Sequence, residues 1–331
     1  MDLDVVFLGT AGSVPTARRA PSSLLVRRGG ERLLFDCGEG TQRQLLRSGI
    51  GLVELEEIFL THYHADHYLG LPGLLKTFAL RGREQPLTLW GPRGLSDLLD
   101  TLRRIFGKLT YGLDIRELAP GDELDRDGYR LSAIRVDHRV AALGYLLAEV
   151  PRPGRFDLAA ARALEIPEGR LWGTLQRGEP VTLEDGSTVR PGQVLGPARP
   201  GRRLVISGDT RPTRGVLEAA LEADLLVHEA TFMDDEKERA EETAHTTAAD
   251  AAELARVAGV RLLALTHLSN RYRGHEVVRE ARAVFAETVV PRDFDIIELP
   301  FAERGEPRLV KGGVLASRED VEATVSVEGD G

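Results

Sequence analysis

The residues best suited to chemistry lie in one short string, Thr61-His62-Tyr63-His64-Ala65-Asp66-His67, which directly follows the apolar run Glu57-Ile58-Phe59-Leu60. Within six residues the string holds four side chains that can bind a metal ion: His62, His64, Asp66 and His67. Imidazole nitrogens and carboxylate oxygens are ligands that a borderline cation such as zinc accepts. Because burying so many polar groups without a compensating charge is expensive, the string predicts a metal site at the end of a strand.

Three further candidate ligands stand at the ends of predicted strands elsewhere in the chain. They are His138 after Ile134-Arg135-Val136-Asp137, Asp209 in Ser207-Gly208-Asp209-Thr210, and His267 in Leu265-Thr266-His267. Taken singly, each could be a turn or capping residue, and Asp209 before Thr210 is an example. Together with the first string they make seven candidate ligands, which indicates two metal ions rather than one.

Such ligands need a frame that brings several strand ends together. Apolar runs bounded by turn residues predict strands at 4–8, 23–27, 32–35, 55–60, 87–90, 129–136 and 143–150, and a second series near 203–207, 223–228, 261–266 and 295–299. Helical spacing predicts helices at 40–48, 95–106, 213–221, 246–258 and 275–286. Two mixed halves of this kind predict an α/β fold, a four-layer αββα sandwich.

The segment 151–200 breaks this pattern with frequent proline and glycine and only one short amphipathic stretch, at 158–164. We expect it to be a flexible arm inserted into a catalytic domain that spans residues 1–314. Over 151–198 six arginines offset six acidic residues, so the arm is neutral within an acidic chain. Residues 315–331 are acidic without an apolar face, and we expect a disordered tail there.

Composition limits the classes of function. A chain of 331 residues with 42% hydrophobic residues can bury a sizeable core. The net charge of -9 argues against non-specific coating of nucleic acid, so any RNA contact has to be local, for example through arginine clusters such as Arg211/Arg214. The lone Cys37 excludes an internal disulfide, and the first residues resemble neither a leader nor a membrane span; we therefore expect a cytoplasmic protein without membrane contact.

In this order the motifs resemble the metallo-β-lactamase superfamily and, within it, the ribonuclease Z family. The resemblance runs from Asp4 to about Pro300 and includes two further signatures, Phe7-Leu8-Gly9-Thr10-Ala11-Gly12-Ser13-Val14-Pro15 and Phe35-Asp36-Cys37-Gly38-Glu39-Gly40-Thr41-Gln42-Arg43-Gln44. It implies two Zn²⁺ ions per chain, although other divalent metals remain open. By this resemblance one zinc is held by His62, His64 and His138, the other by Asp66, His67 and His267, and Asp209 bridges them.

Two more strings carry the resemblance to ribonuclease Z in particular: His228-Glu229-Ala230-Thr231 and Ala244-His245-Thr246-Thr247. The resemblance implies that Glu229 orients His245, which donates a proton to the leaving group, and that Asp66 is general base as well as ligand. The second string has Thr246-Thr247 where Ser-Thr is more usual in the family.

The resemblance also assigns substrate contacts. The stretch His267-Leu268-Ser269-Asn270-Arg271-Tyr272 is similar to the family's phosphate-binding segment, which implies that Ser269 and Arg271 contact RNA phosphates. The arm at 151–200 occupies the place of the family's tRNA-binding exosite. Its centre has Glu168-Gly169-Arg170 where Gly-Pro is common. The resemblance further implies a homodimer in which the arm of one subunit presents tRNA to the other.

The function implied is an endoribonuclease that removes the 3′ trailer from precursor tRNA, leaving a 3′ hydroxyl on the tRNA and a 5′ phosphate on the trailer. The alternative is a two-metal hydrolase of a small phosphodiester, sulfate ester or lactone on the same fold. A third interpretation, a catalytically inactive scaffold or RNA-binding subunit, predicts missing ligands, whereas all seven positions are filled.

Overall fold

The computed structural model describes residues 1–52 and 55–313. Its strands are β1 (Leu3–Gly9), β2 (Ser23–Arg28), β3 (Glu31–Phe35), β4 (Glu57–Phe59), β5 (Leu87–Pro92), β6 (Leu113–Leu118), β7 (Glu123–Arg126), β8 (Tyr129–Arg135), β9 (Leu143–Glu149), β10 (Val181–Thr182), β11 (Thr188–Val189), β12 (Arg203–Ile206), β13 (Leu225–Glu229), β14 (Leu263–Thr266), β15 (Thr288–Val289), β16 (Ile296–Glu298) and β17 (Arg308–Val310).

The α-helices are α1 (Thr41–Arg47), α2 (Ala65–Tyr68), α3 (Leu71–Leu80), α4 (Leu95–Phe106), α5 (Leu158–Ala163), α6 (Arg170–Gln176), α7 (Arg214–Ala220), α8 (Lys237–Thr243), α9 (Ala248–Ala258) and α10 (Gly274–Val284). Short 3₁₀ helices lie at Pro191–Gln193, Asp234–Glu236 and Ala302–Arg304. Among the helices of the described ranges, none combines the length and apolar character needed to span a lipid bilayer.

Two large sheets form the middle of the molecule. One has the strand order β17-β16-β1-β2-β3-β4-β5-β6, and the other the order β15-β14-β13-β12-β9-β8-β7. Helices α1, α3 and α4 share a buried apolar cluster with the outer face of the first sheet, while α7, α9 and α10 do so with the second. The predicted four-layer αββα sandwich is therefore confirmed.

Period-two alternation within each strand explains the layers. In β1, Val5 and Phe7 point into the core between the sheets, whereas Val6 and Leu8 point to the helices. Both faces of these strands are buried, so the strands read as continuous apolar runs. Each fully buried large apolar side chain contributes about 1.5–3 kcal/mol relative to an exposed one.

The strand ends that carry chemistry meet at one edge of the sandwich. Strands β3 and β4 pair in parallel, as do β12, β13 and β14, so their carboxyl ends lie side by side. In open α/β sheets, ligands bind outside the carboxyl ends of parallel strands. Below this edge, Phe59 packs against Phe35 with ring centroids 5.1 Å apart and against Tyr145 at 5.5 Å. The loops that follow the strands thus stand on a rigid aromatic base.

The structure adds elements that the sequence pattern did not predict, chiefly α3, β6, β7 and α8. Helix α3 is buried on much of its surface and contains Pro72 and Gly73, so its sequence lacks the polar face that marks an amphipathic helix. Strand β6 alternates between half-buried and exposed residues at the sheet edge, which leaves little apolar signal. The predicted strand at 55–60 is shorter, spanning Glu57–Phe59.

The inserted segment 151–200 contains α5, α6, the β10–β11 hairpin and one 3₁₀ turn. Helix α5 begins where the Asp157 carboxylate accepts hydrogen bonds from the Ala159 and Ala160 amides. The segment encloses a small core of its own, made of Ala161, Ile166, Leu175, Val181, Val189 and Val194. This arm is therefore a compact unit beside the sandwich. The predicted tail at 315–331 lies outside the described residues.

Candidate metal centre

All seven predicted ligands come together at the carboxyl edge of the sheets. Two of them, Asp66 and His67, lie on α2. The other five lie in the loops after β4, β8, β12 and β14: His62, His64, His138, Asp209 and His267. One group consists of His62, His64, His138 and Asp209, and a second of Asp66, His67 and His267; within each group the ligand atoms lie within 4.8 Å of one another. These groups are candidate sites for a divalent metal ion.

In the first group, the hydrogen bonds determine which nitrogen is free. His138 Nδ1 lies 2.9 Å from the Ala244 carbonyl oxygen and therefore donates its proton to it. Its Nε2 then carries a lone pair and no proton, and it lies 3.1 Å from His64 Nδ1. His62 Nε2 lies 3.1 Å from the same His64 Nδ1. Three ring nitrogens thus converge on one point from three directions.

The second group shows the same convergence. His67 Nδ1 lies 2.7 Å from the Asp36 carboxylate, so that nitrogen carries the proton and Nε2 faces inward. Thr231 donates its only hydroxyl proton to Glu229 at 2.5 Å and therefore accepts one from His267 Nδ1 at 2.9 Å. The two inward Nε2 atoms, of His67 and His267, lie 3.2 Å apart. Two lone pairs at this distance repel unless a cation or a proton lies between them.

Asp209 lies between the two groups and is 3% exposed. Its Oδ2 is 3.3 Å from His267 Nε2, 3.4 Å from His67 Nε2 and 3.7 Å from His62 Nε2. Burial raises the pKa of Asp209, but His267 and His67 lower it further, so the group is ionised. Its Oδ1 is buried and has no hydrogen-bond partner among the described residues. A buried ionised oxygen without a partner fits a metal ligand, and the residues present thus fit a divalent cation.

Outer residues hold the ligands in place. The Asp36 carboxylate accepts hydrogen bonds from the Thr61 amide at 2.8 Å and from His67, which orients that ring. Gly12 packs so closely on His267 that a Cβ there would lie 2.6 Å from the ring Nδ1. Neither Asp36 nor Gly12 was predicted from the sequence to support the site. The position of Asp36 at the end of an apolar strand could have indicated a role at the site. The role of Gly12 could be recognised only from its packing against His267.

The proposed relay pair lies against the same centre. His245 Nδ1 is 2.7 Å from Glu229 Oε1, and Glu229 is 1% exposed. Burial lowers the pKa of His245, but the Glu229 carboxylate raises it to about 9 overall, so the imidazole is protonated at neutral pH. The His245 ring lies 5.0 Å from the His138 ring and 5.7 Å from the His267 ring, centroid to centroid. His245 also lies near enough to Asp209 to complete a third candidate ligand group, but its Nδ1 is engaged by Glu229.

The predicted substrate contacts lie on the segment that leaves the centre after His267. Ser269 is half-buried and Arg271 is exposed. The Arg271 guanidinium pairs with Glu236 at 3.2 Å. Neither is part of the candidate ligand groups, so any role in binding RNA stays a prediction. Of the two remaining histidines, His228 is buried in β13 and His275 is exposed near the start of α10.

Comparison with known proteins identifies the family. The profile of the metallo-beta-lactamase superfamily matches residues 16–89. The chain is 50% identical over 305 residues to the ribonuclease Z of Myxococcus xanthus, covering 91% of this chain and 99% of the relative. The chain belongs to the ribonuclease Z family. The ribonuclease Z of Gemmatimonas aurantiaca is likewise 50% identical over 308 residues, covering 92% and 98% of the two chains.

A solved structure agrees with this membership of the ribonuclease Z family. The crystal structure of human tRNase Z, short form, matches with a TM-score of 0.66 and 29% identity, covering 90% of this chain and 99% of that one. The family predicted from the motifs is thus confirmed. The histidine and aspartate groups support a divalent metal in the centre of this ribonuclease Z family member.

Asp209→Ala provides the test of the metal centre. Removing the carboxylate that faces both ligand groups should cost the purified protein most of its bound divalent metal. The measurement is elemental analysis after dialysis against a metal buffer. His275→Ala, which removes an exposed histidine, is the control and should keep the wild-type content. Equal metal content in the Asp209 variant and the control would contradict the assignment.

Proposed function

We propose that the chain is a zinc phosphodiesterase that removes the 3′ trailer from precursor tRNA, leaving a 3′ hydroxyl on the tRNA and a 5′ phosphate on the trailer. The observation that carries the proposal is the His245–Glu229 pair, joined at 2.7 Å between Nδ1 and Oε1, which lies beside the two ligand groups. A substrate with a good leaving group has no need of such a proton donor, whereas a ribose 3′ oxygen does. Membership of the ribonuclease Z family supports the same substrate class.

The proposed metal content is two Zn²⁺ ions, one held by His62, His64 and His138 and the other by Asp66, His67 and His267, with Asp209 shared between them. The position of Asp209 between the two ligand groups supports this division. When bound, divalent cations supply positive charge that polarises a phosphodiester and lowers the pKa of water.

Asp66 is the proposed acceptor for the attacking water. Burial raises the pKa of its carboxyl, but the hydrogen bond and charge of His267 lower it well below the usual range. Asp66 is therefore ionised at neutral pH, and its Oδ2 also accepts the Ser13 amide at 2.7 Å. A carboxylate with a lowered pKa is a weak base. The main role that we propose for Asp66 is therefore to orient the attacking water, from which it also accepts a proton.

His245 is the proposed proton donor to the leaving group. Water attacks phosphorus, the bond from phosphorus to the ribose 3′ oxygen breaks, and His245 delivers a proton to that oxygen. Glu229 keeps the ring oriented and compensates its charge, and the Thr210 amide in turn holds Glu229 at 2.8 Å. A ribose 3′ oxygen is a poor leaving group as an alkoxide, so this proton lowers the barrier to its departure.

Substrate binding is assigned to two places. Ser269 and Arg271, on the segment after His267, bind RNA phosphates near the cut. The arm at 151–200 holds the tRNA body, and its separate core supports a binding surface held away from the centre. We further propose a homodimer, in which the arm of one subunit serves the other, in the cytoplasm.

His245→Ala tests the proton donor. Cleavage of precursor tRNA should slow by on the order of 10²–10⁴-fold because the 3′ oxygen must then leave without a proton. Bis-nitrophenyl phosphate has a leaving group that needs no proton, so its turnover should fall far less. Metal content serves as the control and should be unchanged. Equal losses on the two substrates would assign His245 a structural role instead.

Removal of the arm tests the substrate class. Strands β9 and β12 are antiparallel neighbours, with Ala148 opposite Arg203, so a two-residue Asn-Gly turn can join Val150 to Gly201 in place of 151–200. Because remote binding energy positions the substrate, kcat/KM for precursor tRNA should fall by on the order of 10²-fold or more. Hydrolysis of bis-nitrophenyl phosphate, which is too small to reach the arm, should persist.

The alternative function predicts the reverse pattern for the same variant. If the insertion shapes a pocket for a small ester or lactone, its removal should damage small-substrate turnover. Retained tRNA cleavage with lost hydrolysis of bis-nitrophenyl phosphate would therefore contradict the proposal. Metal content and circular dichroism of the variant establish that the sandwich still folds.

A further inference from the structure

The arm joins the sandwich through two chain segments only, near Arg152 and Arg199. Their backbones pair in one isolated bridge, with N to O distances of 2.7 and 2.9 Å. The apolar core of the arm is separate from the three cores of the sandwich. Isolated two-stranded pairings are only marginally stable, so a root with this one bridge restrains the direction of the arm weakly. The direction of the arm thus requires a further contact.

A carboxylate makes the first half of that contact. Glu303, on the 3₁₀ turn that follows β16, accepts from Arg152 at 2.9 Å and from Arg199 at 3.1 Å. Arg152 stands where the chain enters the arm and Arg199 where it leaves, so Glu303 holds both sides of the root. Charge-assisted hydrogen bonds of this type are directional and stronger than neutral ones.

Phe301 forms the second half of the contact. The guanidinium carbon of Arg152 lies 3.3 Å from the centroid of the Phe301 ring, and that of Arg202 lies at 4.1 Å. Arg202 is fixed in the sandwich, because its guanidinium binds Glu149 at 2.7 Å and the Leu299 carbonyl oxygen at 2.9 Å. Phe301 therefore connects a fixed arginine of the body with the first arginine of the arm.

We propose that Phe301 and Glu303 form a latch with Arg152 and Arg199 that sets the direction of the arm and so positions the tRNA body. Glu303 is a positioning residue, since the latch shares no residue with the metal centre. The part of this proposal that concerns tRNA rests on the proposed function. The part that concerns the direction of the arm is tested without RNA.

The direct test measures the direction of the arm in Glu303→Gln. One spin label is attached to the arm at Glu184→Cys and one to the sandwich at Val257→Cys, both exposed positions. The native Cys37 does not interfere, because burial raises the pKa of its thiol to about 12 and the side chain is inaccessible. The spin-label distances should form one narrow distribution when Glu303 is intact and a broad distribution in the Glu303→Gln variant.

The activity test follows KM and kcat separately. In Glu303→Gln the KM for precursor tRNA should rise by about 10-fold, because a freely directed arm loses part of its positioning effect. The kcat/KM for bis-nitrophenyl phosphate should stay unchanged. Glu306→Gln is the matched control: it removes a neighbouring exposed carboxylate that pairs with Arg261 rather than with the arm. It should leave both substrates and the distance distribution as in the wild type.

A second variant guards against misfolding. If Glu303→Gln lowers the melting temperature, Arg199→Gln is the alternative variant, because it removes the arm's side of the same latch. It should broaden the distribution of spin-label distances equally. Unchanged narrow distances in both variants would overturn the latch. If the wild type fails to cleave precursor tRNA, the proposed function fails, yet the distance distributions still decide whether the latch exists.

Discussion

The arrangement of the candidate metal centre depends on one buried carboxylate. Asp209 is ionised, is 3% exposed, and leaves its Oδ1 without a hydrogen-bond partner among the described residues. An uncompensated charge in such a place costs several kcal/mol even after relaxation. Around it, bare imidazole nitrogens face one another at 3.1–3.2 Å. The arrangement is stable only with positive charge at its centre, supplied by protons or by metal ions.

Protons and metal ions compete for the same lone pairs. Burial lowers the pKa of His67, but Asp209 and Asp36 raise it well above its ordinary value, so a proton occupies this ring when no cation does. Binding of a divalent cation releases that proton, and metal affinity therefore rises with pH. The sandwich supports this centre by holding parallel strand ends side by side, on the aromatic base formed by Phe35, Phe59 and Tyr145.

Much of the site could be predicted from the sequence because its ligands stand in short strings at the ends of apolar runs. The four-layer fold followed from the same alternation of strands and helices. Helix α3 and strand β6 were missed because the first is buried on too many sides and the second is too exposed to show a periodic pattern. The contacts of Asp36 with His67 and of Gly12 with His267 join residues far apart in the chain, and no local pattern records them.

The internal structure of the arm could likewise not be predicted from a local sequence pattern. Its prolines and glycines marked an insertion, but six scattered small or aliphatic residues close into a core that no periodicity revealed. The latch between Glu303 and the root of the arm joins positions 104 and 151 residues apart, so only the folded chain brings them together. In the function proposed above, residues at the strand ends perform the chemistry and the arm binds the substrate.

The most direct test of the proposed function is to map the products of the metal-loaded protein acting on a precursor tRNA with a 3′ trailer. The proposed function predicts one cut on the 3′ side of the acceptor stem, a 3′ hydroxyl on the tRNA and a 5′ phosphate on the trailer. These ends require water as the nucleophile and the ribose 3′ oxygen as the leaving group. A 2′,3′-cyclic phosphate on the tRNA, or an intact precursor alongside rapid turnover of a small ester or lactone, would contradict it.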